Sequence, residues 1–302
     1  MLSSLSPNGR GMLAMMAASI IFTFSDVLAK LAAQDWPIAQ ILVVRGLFAI
    51  SLSLLVAIRS GDGRKLALLG RPSLVARSGI EALTALAFLS ALPMMPIADL
   101  TAILMASPLV ITALASLLLG ETVGWRRWSA IVVGFAGVLL VVQPSGTQAG
   151  FPLYHWGALL GVAAVFCVAF RDITTRRIGA DVPSTVVTVG GSIGSCLGGV
   201  VLSVQTPWAG FALQPFIACV AAAGIVTLGN YLIITACRGV DLSVVAPYRY
   251  FAMLWAIGLG ALIFGELPNM LSLVGMALIV ATGIYTMHRE QVRRRQAQKQ
   301  QA

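Results

Sequence analysis

The sequence predicts an all-α integral membrane protein with ten transmembrane helices, arranged as two inverted five-helix repeats. Three observations carry that expectation. Long apolar runs fill almost the whole chain, Lys and Arg crowd every second connection between them, and short motifs recur at a nearly constant spacing. Of the 302 residues, 58% are hydrophobic and 10% charged, and the mean hydropathy is +0.91. A soluble protein of this length needs a polar exterior, and too few polar residues are present to build one. A spanning helix takes about 20 apolar residues, so ten use about 200 and leave almost nothing for a soluble domain. The runs are continuous rather than alternating, which argues against a transmembrane β-barrel.

The crossings are expected at 11–33, 38–58, 72–92, 96–119, 126–142, 154–176, 183–204, 211–237, 241–265 and 269–287. The first begins like a signal peptide, but no convincing small-residue cleavage site follows, and the helix continues through Asp26 and Lys30. It is read as a retained crossing. Pro37, Pro72, Pro96, Pro183 and Pro268 mark the starts of the second, third, fourth, seventh and tenth, where a missing N–H costs little. The fifth opens on Trp125-Arg126-Arg127-Trp128, the sixth closes on Arg176-Arg177, and the eighth closes at Arg238. The tenth leads into a basic tail. Residues 1–10 form an N-terminal segment, 11–142 the first repeat, 143–153 a linker, 154–287 the second repeat and 288–302 the tail.

The connection 59–71 carries Arg59, Arg64, Lys65 and Arg71. Arg126 and Arg127, Arg176 and Arg177, Arg238 and the tail lie on the same side. The opposite connections, at 34–37, 93–95, 143–153, 205–210 and 266–268, hold no Lys or Arg. The positive-inside rule then puts both termini in the cytoplasm. The net charge of +9 is a topology signal, which excludes nucleic acid as a partner. Trp36, Trp125, Trp128 and Trp208 fall where an interfacial aromatic belt belongs.

Phe24-Ser25-Asp26 … Lys30 … Pro37 matches Phe170-Arg171-Asp172 … Arg176 … Pro183 at an offset of 146. Leu119-Gly120-Glu121 matches Phe264-Gly265-Glu266 at an offset of 145. Five crossings per half is an odd number, so the halves must enter the membrane in opposite senses. Inverted repeats offer two related arrangements, one open to each side, which is the physical basis of alternating access.

These residues resemble the drug/metabolite transporter superfamily, and in particular its EamA-type members. The resemblance lies in the Gly-Glu pairs ending the fourth and ninth crossings, Ser107-Pro108, and the run from Trp128 to Gly134-Phe135-Ala136-Gly137. It covers residues 11–288. Ala246-Pro247-Tyr248-Arg249-Tyr250, with Asp26-Val27 … Lys30 and Arg45, is similar to the branch containing S-adenosylmethionine uptake carriers. Related branches carry amino acids or riboflavin. The resemblance implies a ten-helix basket with a central cavity in a bacterial inner membrane. It implies a secondary transporter of small organic metabolites, with export of amino acids or drugs, or a passive channel, as alternatives.

An ionisable side chain inside a membrane is costly and faces a cavity or a partner. Arg249 stands about eight residues into the ninth crossing, roughly 12 Å along it. Pro247 loosens the helix there and frees backbone carbonyls. Tyr248, Tyr250 and Trp255 surround it with aromatic faces, which suits a planar or amphipathic substrate bearing a carboxylate. The competing reading pairs Arg249 with an acidic neighbour for packing. Arg45 either lines the same cavity or snorkels outward. Asn230 bonds substrate or a neighbouring helix. Arg77 and Glu81, four apart, form a structural pair or provide a proton-coupling carboxylate. Asp26 with Lys30, and their repeat mates Asp172 with Arg176, read as gates or locks. Pro108 and Pro247 are expected hinges, although three residues must be gapped to align them.

Gly190, Gly194 and Gly198 share one face of the seventh crossing, and Gly191, Ser195 and Gly199 the next. Small residues every four positions let helices approach closely, within the molecule or in a homodimer. Gly190-Gly191-Ser192-Ile193-Gly194 matches a hydrolase nucleophile motif only formally, without the strand-turn-helix context. Cys167, Cys196, Cys219 and Cys237 lack metal-ligand spacing. The expectation is therefore no enzyme activity, no cofactor and no metal. The partners expected are a small-molecule substrate and membrane lipid, for a monomer or a homodimer.

Overall fold

The structure is a computed structural model that describes residues 7–119, 124–143, 153–176, 178–179, 181–237 and 246–301. The regular elements among them are all helical: α1 (Pro7–Ala32), α2 (Ile38–Arg59), α3 (Pro72–Ala91), α4 (Ile97–Met105), α5 (Ser107–Leu119), α6 (Trp125–Val142), α7 (Tyr154–Arg176), α8 (Ser184–Ser203), α9 (Leu213–Cys237), α10 (Phe251–Leu259) and α11 (Met270–Gln301). Nine spans among the described residues are long and apolar enough to cross a membrane, and a shorter apolar helix, Leu213–Gly229, lies within α9. Each of the ten expected crossings thus has a helical counterpart. Pro37, Pro96 and Pro183 stand at N-caps and Pro72 opens α3, where their lost N–H has no helical partner to forfeit.

Three departures have local causes. The fourth crossing is two helices, divided at Ala106. Pro108 has no N–H to continue the ladder, so Leu109 bonds back to the Ala106 carbonyl at 2.9 Å and α5 begins afresh. In the ninth crossing, residues 241–245 lie outside the described residues. The rest runs as a 3-10 turn at Ala246–Tyr250, then α10, then a π turn at Gly260–Phe264. The tenth helix does not stop at 287 but continues to Gln301, because the Arg-, Gln- and Lys-rich tail is made of good helix formers.

The chain divides into two compact units. The first contains Met1–Thr23, Pro96–Thr147 and Leu228–Ala302, the second Phe24–Met95 and Gln148–Thr227. Each draws on both repeats. The unit boundary falls inside two continuous helices, α1 between Thr23 and Phe24 and α9 between Thr227 and Leu228.

In the first unit α6 and α11 lie side by side. A Cβ on Gly137 would stand 2.9 Å from the Gly275 carbonyl oxygen, so only glycine permits this approach. At one end the pair is clamped by reciprocal amide bonds. Gln143 Nε2 donates to Asn269 Oδ1 at 2.8 Å, and Asn269 Nδ2 donates to Gln143 Oε1 at 3.0 Å. The Gly-Glu motif also finds its physical role here. Gly265 takes φ 68° to close the π turn, a conformation glycine adopts without a Cβ penalty. Glu266 then accepts the Ile97 N–H at 3.2 Å, capping the first turn of α4. The equivalent Glu121 lies outside the described residues.

In the second unit the glycine-rich α8 runs against α2 and α3. A Cβ on Gly190 would stand 2.8 Å from Ser78 Oγ of α3, and one on Gly199 would stand 2.9 Å from the Val43 nitrogen of α2. The small-residue stripe therefore serves contacts within this chain. Trp36 differs from the expected belt role. It is 3% exposed, and its indole donates to the Gly210 carbonyl at 3.2 Å. Gln40 next to it both donates to Ala209 O and accepts from Ala209 N. The pair ties down a loop, which explains the burial.

Candidate functional site

Most of the described polar residues that the sequence singles out inside the spanning helices fall into three groups. The first lies in the ninth crossing, in the first compact unit. Pro247 is the second residue of the 3-10 turn there, where the backbone departs from α geometry. Arg249 is exposed and Tyr248 half-buried, with the Tyr248 ring stacked on Phe251 at a centroid distance of 5.9 Å and 10° between planes. Tyr250 is 7% exposed and points its hydroxyl at Gly283 of α11, a space that any Cβ there would fill. Its hydroxyl oxygen is buried without a hydrogen-bond partner among the described residues, and so is the indole nitrogen of Trp255. Two buried donors without acceptors in one short segment are costly to the fold and call for an explanation. Thr23 of α1 reaches the same segment, donating to Ala252 O at 3.5 Å.

The second group joins α1, α2 and α9 in the second unit. Arg45 Nη2 donates to Ser25 Oγ at 3.3 Å, and Ser25 in turn donates to Ala222 O at 3.3 Å. Asp26 is the opposite charge within electrostatic reach of Arg45. Lys30 is buried and donates to the Met95 carbonyl at 2.9 Å. Arg45 thus belongs to a different compact unit from Arg249.

The third group is a charge network between α3 and α7. Arg77 Nη2 lies 3.2 Å from Glu81 and its Nε donates to Thr175 Oγ1 at 3.2 Å. Arg171 reaches the other Glu81 oxygen at 3.4 Å and Asp172 at 2.9 Å. Two cations and two carboxylates balance, as a largely desolvated cluster requires. Gly191 gives the network room: a Cβ there would stand 2.9 Å from Arg77 Nη1.

The side chains of Asn230 and Arg176 lie outside the described residues. Asp99, fully buried in the first turn of α4, has no counterpart among the residues the sequence singles out. Its place at the start of a crossing disguises it as a boundary residue. Arg171 and Thr175 are likewise legible only once α3 and α7 are side by side. Among the described residues no cluster of three or more His, Cys, Asp or Glu is placed to hold a metal ion. Cys167, Cys196 and Cys219 are free thiols, and the Cys237 side chain lies outside the described residues.

Helical counterparts to all ten expected crossings, with internal duplication, define an all-α multi-pass membrane protein. The EamA-like transporter family matches at residues 9–143 and again at 155–287. The chain belongs to that family, within the drug/metabolite transporter superfamily. It is 30% identical over 221 residues to a riboflavin transporter of Rhizobium johnstonii, covering 72% of this chain and 70% of that one. It is 25% identical over 280 residues to the pseudopaline exporter CntI of Pseudomonas aeruginosa, covering 91% and 94%. An S-adenosylmethionine uptake transporter of Rickettsia bellii is 25% identical over 199 residues, covering 65% of each. A solved crystal structure at 21% identity shares the fold, with a TM-score of 0.60 over 92% of this chain and 96% of that one.

Proposed function

We propose that this transporter is a secondary carrier of small organic metabolites that binds its substrate at Tyr248, Arg249, Tyr250 and Trp255. The observation that carries the reading is the pair of orphaned donors, Tyr250 O–H in the 3-10 turn that holds Arg249 and Trp255 N–H in the helix that follows it. An acceptor-rich substrate satisfies both, and a carboxylate or ring carbonyl is the natural partner for the guanidinium. The stacked Tyr248 and Phe251 rings favour a planar or conjugated group beside it. Riboflavin and S-adenosylmethionine, named for two relatives, both carry heteroaromatic rings.

The two charged groups elsewhere fit a gating role. Glu81 with Arg77, Arg171 and Asp172 links α3 to α7, and Asp26, on the sequence-related first crossing, lies within electrostatic reach of Arg45 on α2. Inverted repeats make such paired locks the expected device for alternating access in a bacterial inner membrane, with both termini cytoplasmic. Export is the second reading of direction, favoured by the exporter that matches over 91% of this chain.

Purified protein in liposomes is expected to accumulate or exchange at least one labelled compound from a panel of flavins, S-adenosylmethionine and amino acids. Counterflow distinguishes a carrier from a channel. Arg249→Ala is expected to reduce transport at least about tenfold with expression intact. Unchanged transport by that variant removes Arg249 from the site.

A further inference from the structure

We infer that the groove between α6 and α11 is a binding site for one anionic phospholipid. The two helices touch through Gly137 and Gly275 and are clamped at the Gln143–Asn269 end. Toward the other end of the pair lies a groove of about 360 Å³, within the size range of ligand clefts. Its lining is graded. Ala130, Val133 and Leu278 form the apolar stretch, and Trp125, Arg126 and Tyr285 stand at the opening turn of α6 and the facing turn of α11.

That gradation matches a glycerophospholipid and no symmetric apolar occupant. The Arg126 guanidinium lies 5.6 Å from the Trp125 ring centroid, an arrangement that holds the cation at the depth where tryptophan settles in a bilayer interface. Trp125 is 75% exposed and Tyr285 41%, so both present surface where headgroups lie. Val133, at 42% exposed, opens the apolar stretch to an acyl chain. Basic pockets between transmembrane helices recognise anionic headgroups by this combination of charge and interfacial position. The site is separate from the Tyr248–Trp255 segment and independent of what is transported.

Native mass spectrometry of the full chain, released from nanodiscs of equal phosphatidylglycerol and phosphatidylcholine, tests this. The wild type is expected to retain one phosphatidylglycerol in preference to phosphatidylcholine. Arg126→Gln is expected to lower that preference about fivefold, the worth of one interfacial arginine. Val133→Trp, which fills the groove from its exposed side, is expected to lower retention while the protein stays monodisperse. Arg59→Gln, an exposed cation on α2 that is not among the groove's lining residues, is expected to leave the preference unchanged. Equal retention of both lipids in the wild type overturns the inference. So does a loss in Arg59→Gln as large as in Arg126→Gln, or a second copy of the chain in place of lipid.

Discussion

Tyr250 and Arg45 show how differently a polar side chain settles inside a membrane helix. Arg45 is held by its surroundings: Ser25 accepts its N–H, Ser25 passes a bond on to Ala222, and Asp26 lies within electrostatic reach. Tyr250 is buried, yet its hydroxyl has no hydrogen-bond partner among the described residues. An orphaned buried donor costs about 1–3 kcal/mol. Tyr250→Phe removes that donor and keeps the ring against Gly283. It is therefore expected to raise the thermal stability of the substrate-free protein while weakening transport, read as a higher KM. A variant that is less stable, with transport unchanged, would place the hydroxyl in the fold and not in the site. The ninth-crossing residues were legible in the sequence because arginine and two tyrosines stand beside a proline. Asp99 and Thr175 were not, since a carboxylate at a helix start and a threonine within a helix carry no signal until a neighbour is in place.

At the scale of elements, small residues decide which helices meet. The glycines of α8 admit α3 on one face and α2 on the other, and Gly137 with Gly275 does the same for α6 and α11. In lipid there is no hydrophobic force between helices, so close van der Waals approach carries association. Gly194→Val puts branched carbons onto the Ser78 backbone, which cannot yield. The expected cost is about 1–3 kcal/mol, seen as a lower melting temperature in detergent. A value equal to wild type would show that α8 and α3 do not rely on this contact. The division of the fourth crossing follows from Pro108, and Pro247 stands in the 3-10 turn where the described part of the ninth begins. The π turn before Gly265 has no such marker. It stands beside a long-range contact, Glu266 accepting the Ile97 N–H of α4, a partner far away in the chain.

For the whole molecule, the alternation of basic connections makes a prediction about sidedness. Single cysteines placed in the 59–71 connection and in the tail are expected to react with a membrane-impermeant thiol reagent only from the cytoplasmic face. A cysteine in 205–210 is expected to react from the opposite face. Labelling of both sets from one side would defeat the inverted-repeat reading. The amino-acid sequence by itself determined the class, the crossings and the duplication. Those depend on apolar length, on charge placement and on local proline and glycine chemistry, all of which act over a few residues. Only the tertiary structure decided that the compact units mix helices from both repeats, that Glu81 is shared by Arg77 and Arg171, and that Trp36 is buried instead of interfacial. The physical reason is that partner choice between membrane helices depends on surface shape and on pairing across long sequence separations, which no local pattern encodes.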